Sequence, residues 1–220
     1  MQLSFLPDPI AAFAVLALLG MLPFLAFVVT SFTKIVVVIG LARNALGVNQ
    51  APPSTVINGL AVILSVYIMA PVAVAAYGMA EPNISHDRPI SFEVVTKVVV
   101  AAKEPFQNFL KQHVNRREQE FFVKSARSLW PKAQADAIKA DDMMVLIPAF
   151  TVSELTAAFQ IGLVIYLAFV VVDFVVAAVL LSLGMSMISP TTVSVPFKLM
   201  LFVGLDGWAK LIHGLVLTYR

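Results

Sequence analysis

The sequence predicts an all-α membrane protein on three observations. Hydrophobic residues make up 60% of its 220 positions and charged residues 13%, whereas a soluble domain is about half apolar and a quarter charged. The mean hydropathy of +0.90 points the same way. The apolar residues are also gathered into long runs, separated by one hydrophilic stretch. A chain with so little polar surface must contact lipid or bury itself against partners.

The composition also argues against several classes of function. The net charge is only +2, with no run of Lys or Arg, so we expect no nucleic-acid partner. The absence of cysteine excludes disulfides and thiolate metal sites. His86, His113 and His213 lack the spacing of metal ligands. No catalytic motif or phosphate-binding glycine loop occurs, so we expect no enzyme activity and no cofactor.

Hydropathy divides the chain into blocks 1–80, 81–142 and 143–220. The first block holds two predicted spans. The run Ile10–Val29 is uncharged, and its length of about 30 Å as a helix equals the thickness of the hydrocarbon core. Thr55–Ala80 is the second span. The residues before Ile10 lack the basic region of a signal peptide, so we expect the first run to be retained.

A polar connector, Thr30–Ser54, separates these two spans and carries Lys34 and Arg43. We interpret it as a short loop, and the positive-inside rule then places it in the cytoplasm. With four passes, both termini and the block 81–142 lie outside.

Block 81–142 is a hydrophilic insertion with ten Lys or Arg and nine Asp or Glu residues. Apolar residues at helical spacing predict two amphipathic helices, one from Phe92 to Leu110 and one from Glu118 to Trp130. These helices either pack on each other or on neighbouring subunits, or form a solvated hairpin.

Block 143–220 is almost continuously apolar, and its run Leu155–Ser189 is too long for an ordinary span. As one helix these residues would reach about 52 Å. The run also contains Asp173, and Glu154 precedes it. A carboxylate at the bilayer centre costs about 3 kcal/mol. The two acids therefore either pack against protein or line a wet path, or they lie at a membrane boundary.

The segment between Gly184 and Pro190 contains Met185 and Met187. Pro190 favours an extended backbone before it, and in an extended segment these two methionines project to the same side. Flexible methionines from several subunits could then seal a pore. The alternative is two core methionines in a helical hairpin.

Several motifs follow one another in order along the chain. In the first half they are Thr30–Val38, Leu41–Gly47, Gln50–Pro53, Asn58–Ala61 and Met69–Pro71. In the second half they are Ile147–Phe150, Ser153–Leu155, Ala158–Gly162, Gly184–Met185, Pro196–Val203 and Asp206–Trp208. Together these motifs resemble the SctR/FliP family of type III secretion and flagellar export proteins, and the likeness spans nearly the whole chain outside roughly 81–115 and 123–142.

The resemblance implies helical hairpins that assemble into a ring-like or helical export gate in the bacterial inner membrane. It implies a homo-oligomer, expected to be a pentamer, with SctS/FliQ-type and SctT/FliR-type partners. The gate would lie between a large export-gate ring and the needle or rod, would be partly raised toward the periplasm, and would pass unfolded secreted proteins.

The resemblance also assigns roles to individual residues. Met185 and Met187 match the family's methionine gasket, although Ser186 stands where a third methionine is frequent. Glu154, Arg117 and Lys198 match residues that make polar contacts between subunits, with Lys198 facing the SctS/FliQ-type partner.

Three alternatives stay open beside the virulence-type export gate, which we favour. The first is a flagellar member of the same family, although such members usually begin with a longer, cleaved signal. The second is a stand-alone multi-pass transporter with Glu154 and Asp173 as a proton relay. The third is a membrane protease that uses the same two acids.

Overall fold

The computed structural model describes residues 9–48, 51–83 and 92–220. The segment before Pro9, on which the signal-peptide expectation rests, lies outside the described residues. Within them the chain forms helices and no strand, which confirms the all-α prediction. The helices are α1 (Pro9–Val29), α2 (Phe32–Ala45), α3 (Ser54–Ala80), α4 (Phe92–His113), α5 (Arg116–Leu129), α6 (Lys132–Ala135), α7 (Met143–Ser182), α8 (Pro190–Gly204) and α9 (Gly207–Leu217), with a short 3₁₀ helix at Glu81–Asn83.

Local sequence explains where several helices begin and end. The Asn115 side chain caps α5, because its oxygen accepts the backbone N–H of Arg117 at 2.9 Å. Pro190 opens α8, where its missing N–H is not needed. Gly47 and Gly184 follow α2 and α7 with φ of 79° and 73°, a left-handed conformation that costs glycine little.

The interpretation of Thr30–Ser54 as a polar loop is wrong, because Phe32–Ala45 form α2 and one face of that helix is fully buried. Lys34 is only 4% exposed. The Arg43 guanidinium donates to the Ser54 hydroxyl at 3.1 Å. Both cations bond protein groups and do not mark a solvated loop, so the orientation inferred from them loses its basis.

Among the residues that the structure describes, two helices, α3 and α7, are long and apolar enough to cross a membrane, and α8 with α9 forms a third candidate if that pair, bent by 61°, is one span. The predicted run Ile10–Val29 lies in α1. Helix α7 is a single helix of 40 residues, about 60 Å long and therefore about twice the thickness of the hydrocarbon core. The sequence pointed to an over-long apolar run at Leu155–Ser189, whereas the long helix begins earlier, at Met143, and ends earlier, at Ser182.

The described residues pack as two compact units, and α3 and α7 contribute to both. The first unit draws on residues 1–31 and 69–154. Its two predicted amphipathic helices are confirmed as α4 and α5. In its core Leu110 and Leu146 are fully buried, and the rings of Phe109 and Phe150 lie 5.7 Å apart, which joins α4 to α7.

The second unit comprises residues 32–68 and 155–220, and α2 lies at its centre. The buried cluster around α2 draws one or two residues from each of α3, α7 and α9. Its members are Ile35, Val38, Ile39, Ile57, Ala61, Ala158 and Leu215. The hydropathy blocks 1–80, 81–142 and 143–220 stay a prediction, since these units are defined by packing and not by hydropathy.

Helix α2 approaches α7 closely at Gly162. A Cβ atom added to Gly162 would collide with the Leu41 side chain, including its Cβ at 3.0 Å. Glycine is therefore required here by contact with a neighbouring helix. Gly59 on α3 is the matched opposite case, because a Cβ there meets nothing within 4 Å.

We expect Gly162→Val to lower the free energy of unfolding by about 1–3 kcal/mol, the usual cost of overpacking. Gly59→Val should leave stability nearly unchanged, because it adds the same side chain to a helix without a collision. Thermal unfolding of both variants in detergent checks this. Equal midpoints for the two would contradict the close approach.

Candidate functional site

The loop between α7 and α8, residues 183–189, contains the two methionines of the predicted gasket. It begins with a Schellman motif, in which the Met185 N–H donates to the Leu180 carbonyl at 2.9 Å and the Gly184 N–H donates to the Leu181 carbonyl at 3.1 Å. The left-handed Gly184 makes this motif possible. Met185 therefore leaves α7 at a defined angle.

Both methionines are exposed in the single chain. The side chain of Met187 is 98% exposed and that of Met185 is 46% exposed. The alternative of two core methionines is therefore wrong. The expected extended backbone is confirmed only at Ser189, with ψ of 118°. Residues 185–188 form a turn, in which the Ile188 N–H lies 3.4 Å from the Met185 carbonyl. The directions of Met185 and Met187 are therefore not those of alternate residues in an extended segment.

A salt bridge joins the two helices that carry this loop. Lys198 Nζ on α8 lies 2.7 Å from Asp173 Oδ2 on α7. The Ser194 hydroxyl, one turn before Lys198 on α8, donates to the other oxygen of the same carboxylate. The side chain of Lys198 is 7% exposed and that of Asp173 is 28% exposed. Asp173 and Lys198 lie about 12–14 Å along their helices from the loop, so the ion pair joins the two arms of the hairpin at nearly the same distance from its tip.

Lys198 also binds a third helix. Its ammonium donates to the Ala45 carbonyl at 3.2 Å, and Ala45 is the last residue of α2. The last carbonyls of a helix have no partner within it and carry partial negative charge. A cation is therefore doubly favourable at this point. The site fixes α2, α7 and α8 to one another.

The other predicted contact residues lie in the first unit or remain at its surface. Glu154 on α7 is 3% exposed. Beside it, the Ser153 hydroxyl accepts the backbone N–H of Asn115 at 2.9 Å and so holds the corner between α4 and α5. Arg117 lies exposed in the first turn of α5. The intersubunit roles of Glu154, Arg117 and Lys198 stay predictions.

Sequence reasoning missed the pairing of Asp173 with Lys198. It weighed Asp173 together with Glu154 as two acids, and it considered Lys198 only toward a partner protein. A signal was nevertheless present. Lys198 is the first basic residue after Asp173 in an apolar block, and charges within such segments pair with one another.

These features define a class: a helical membrane protein whose C-terminal hairpin is closed by a buried ion pair and presents an exposed methionine loop. A model of the FliP family matches residues 15–215. The chain belongs to the FliP family, which confirms the predicted SctR/FliP membership. With the apolar helices α3 and α7, this membership makes it an inner-membrane protein.

Its relatives include proteins named for secretion and virulence. The hypersensitivity response secretion protein HrcR of Ralstonia nicotianae is 53% identical over 202 residues, covering 92% of this chain and 93% of that protein. The Yop proteins translocation protein R of Yersinia pestis is 50% identical over 214 residues, covering 97% and 98%. The virulence protein YscR of Salmonella typhimurium is 39% identical over 215 residues, covering 97% and 99%.

Asp173→Asn should destabilise the chain by about 3 kcal/mol, because it leaves the buried Lys198 ammonium without its counterion. The double variant Asp173→Asn/Lys198→Met should lose less than the sum of the two single variants, since it removes both charges together. Denaturation midpoints in detergent give this coupling energy.

The control is the same set of single and double variants at Glu93 and Lys97 on α4. These two residues have the same 2.7 Å separation, but their side chains are 75% and 58% exposed. A coupling of about 0.3–0.5 kcal/mol is expected for such a solvated pair. If both cycles give the same small value, the Asp173–Lys198 pair does not hold the hairpin.

Proposed function

We propose that this chain is a core subunit of the export gate of a virulence-type type III secretion system. It forms, with SctS/FliQ-type and SctT/FliR-type proteins and further copies of itself, the channel through which unfolded proteins cross the inner membrane. Its membership in the FliP family and the secretion proteins among its relatives support this role. The relatives named for hypersensitivity and virulence favour the virulence-type branch over the flagellar one.

The methionine loop is the observation that carries the gate proposal. A side chain as apolar as that of Met187 is 98% exposed at the tip of a hairpin whose arms are locked by an ion pair. In a ring, one such loop from each copy would meet the others on the axis. Methionines can seal a pore against ions and still deform around a passing polypeptide, because their side chains are flexible and polarizable.

The length of α7 supports a multi-pass chain that is partly raised out of the bilayer toward the periplasm. A helix of about 60 Å exceeds the hydrocarbon core. Part of it must therefore be covered by protein or by the interfacial region. Neighbouring copies and the two partner proteins would supply that cover.

The proposed subunit has no catalytic chemistry of its own and needs no cofactor. Asp173 is bonded by both Lys198 and Ser194, so its carboxylate is committed to structure. A proton relay or an aspartyl protease would need this carboxylate to exchange protons freely. The energy for export would come from other components of the system.

We expect the double change Met185→Ala/Met187→Ala to leave the complex assembled but to raise ion conductance through the closed gate. The truncated side chains cannot fill the axis of the ring. Planar-bilayer recordings of the complex purified with its secretion partners measure this, and native mass spectrometry checks its composition.

The matched control is Met200→Ala. Met200 is 68% exposed on α8 and lies outside the loop. Its truncation should leave the conductance unchanged. An unaltered conductance in the loop variant would contradict the gasket.

We expect Glu154→Ala to weaken assembly of the ring, because a buried polar contact fixes the register between helices. Glu104→Ala, at an exposed position of α4, serves as control for the loss of one acid. Native gels of the co-produced complex give the yield of assembled ring. Equal yields for the two variants would argue against a role of Glu154 between subunits.

A further inference from the structure

The side chain of Lys34 reaches from α2 to the end of α9. Lys34 is 4% exposed. Its Nζ lies 3.9 Å from the centre of the Tyr219 ring and 3.3 Å from the Thr218 hydroxyl oxygen. That hydroxyl in turn donates to the Leu215 carbonyl at 2.7 Å, in the last turn of α9. A buried ammonium therefore lies against an aromatic face and beside the closing turn of a helix.

The position of Lys34 in its own helix makes this arrangement informative. It lies in the first turn of α2, where the helix dipole disfavours a cation. At the end of α9 the dipole has the opposite sign and favours one. The aliphatic stem of a lysine can lie along apolar surface while its charge reaches a polar point. The charge of Lys34 is thus better accounted for by α9 than by α2.

We propose that Lys34 is a positioning residue that latches the segment after α9 onto α2, through the ring of Tyr219 and the hydroxyl of Thr218. We call these three residues the Lys34 latch. It lies next to the core of the second unit, where Leu215 of α9 is packed with Ile35 of α2. Lys34 and Thr218 are 184 positions apart, so the latch closes only when α9 has been made and has packed.

The latch gives the buried ammonium of Lys34 a structural task within the single chain. It secures the docking of α9 beside α2, and it does so by a cation over an aromatic ring, an interaction that is stronger when water is excluded. The inference stands apart from the proposed function, because it concerns how the single chain holds its own helices.

The chain has no cysteine, so a single reporter thiol can follow the latch. We would introduce Val216→Cys, at a half-buried position in the last turn of α9 shortly before Tyr219, into the full chain in membranes. The measured quantity is the rate at which a maleimide labels this thiol. We expect Lys34→Met to raise the rate roughly tenfold, as loss of a desolvated cation–π contact would.

Variants of the partner isolate this contact from any other role of Lys34. Tyr219→Leu should raise the labelling rate to a similar extent, whereas Tyr219→Phe and Lys34→Arg should stay near the parent, because they keep the ring and the cation. The double variant Lys34→Met/Tyr219→Leu should be no faster than either single variant. Lys210→Met, at an exposed lysine of α9, controls for the loss of one positive charge.

Two outcomes would overturn the latch. One is a labelling rate in Tyr219→Leu equal to that of the parent. This variant keeps Lys34, so the test remains informative even if Lys34→Met fails to insert into the membrane. The other is multiplication of the two single effects in the double variant, which would show that the residues act independently. Either outcome leaves the export-gate proposal untouched, because labelling of the single chain does not involve secretion.

Discussion

In apolar surroundings a charged side chain is tolerated only when it is paired and hydrogen-bonded. Lys198 meets this condition through Asp173 and the Ala45 carbonyl. These three groups lie on α8, α7 and α2. The ammonium of Lys198 is therefore paired only when the three helices are correctly placed. The loop of residues 183–189 starts and ends on two of these helices. Its position in space therefore depends on an ion pair about 12–14 Å away along the two helices.

The second constraint is the length of α7. A continuous helix of 40 residues cannot be satisfied by lipid alone, and it contributes to both compact units of the chain. Its first part packs with Phe109 of α4, and its later part meets Leu41 of α2 at Gly162. The same helix thus packs into the core of one unit with its first part and against α2 in the other unit with its later part.

The sequence predicted the elements well, because hydropathy and helical periodicity depend on neighbouring residues. The limits of α1, the two amphipathic helices and the existence of a long apolar run followed from such local patterns, although α7 begins and ends earlier than the predicted run. It failed at Thr30–Ser54, where Lys34 and Arg43 suggested a solvated loop. The partner of Lys34 is the ring of Tyr219, far along the chain, and the partner of Arg43 is the hydroxyl of Ser54, which starts the next helix, α3. Spacing in a sequence cannot show that a distant ring or hydroxyl will receive a charge, and the pairing of Asp173 with Lys198 was missed for the same reason.

Two kinds of side chain in this fold lie in an environment that does not suit them: charges in apolar surroundings and an apolar side chain in the open. Lys34 and Lys198 are charges in an apolar chain, and each is bonded within that chain. Met187 is the reverse case, an apolar side chain that the chain leaves 98% exposed. Covering such a side chain is worth about 1.5–3 kcal/mol. In the proposed ring this free energy would be gained once per copy without altering any internal bond, since the ion pair already holds the hairpin that presents the loop. The internal charges would then position the loop, and the proposed assembly would cover it.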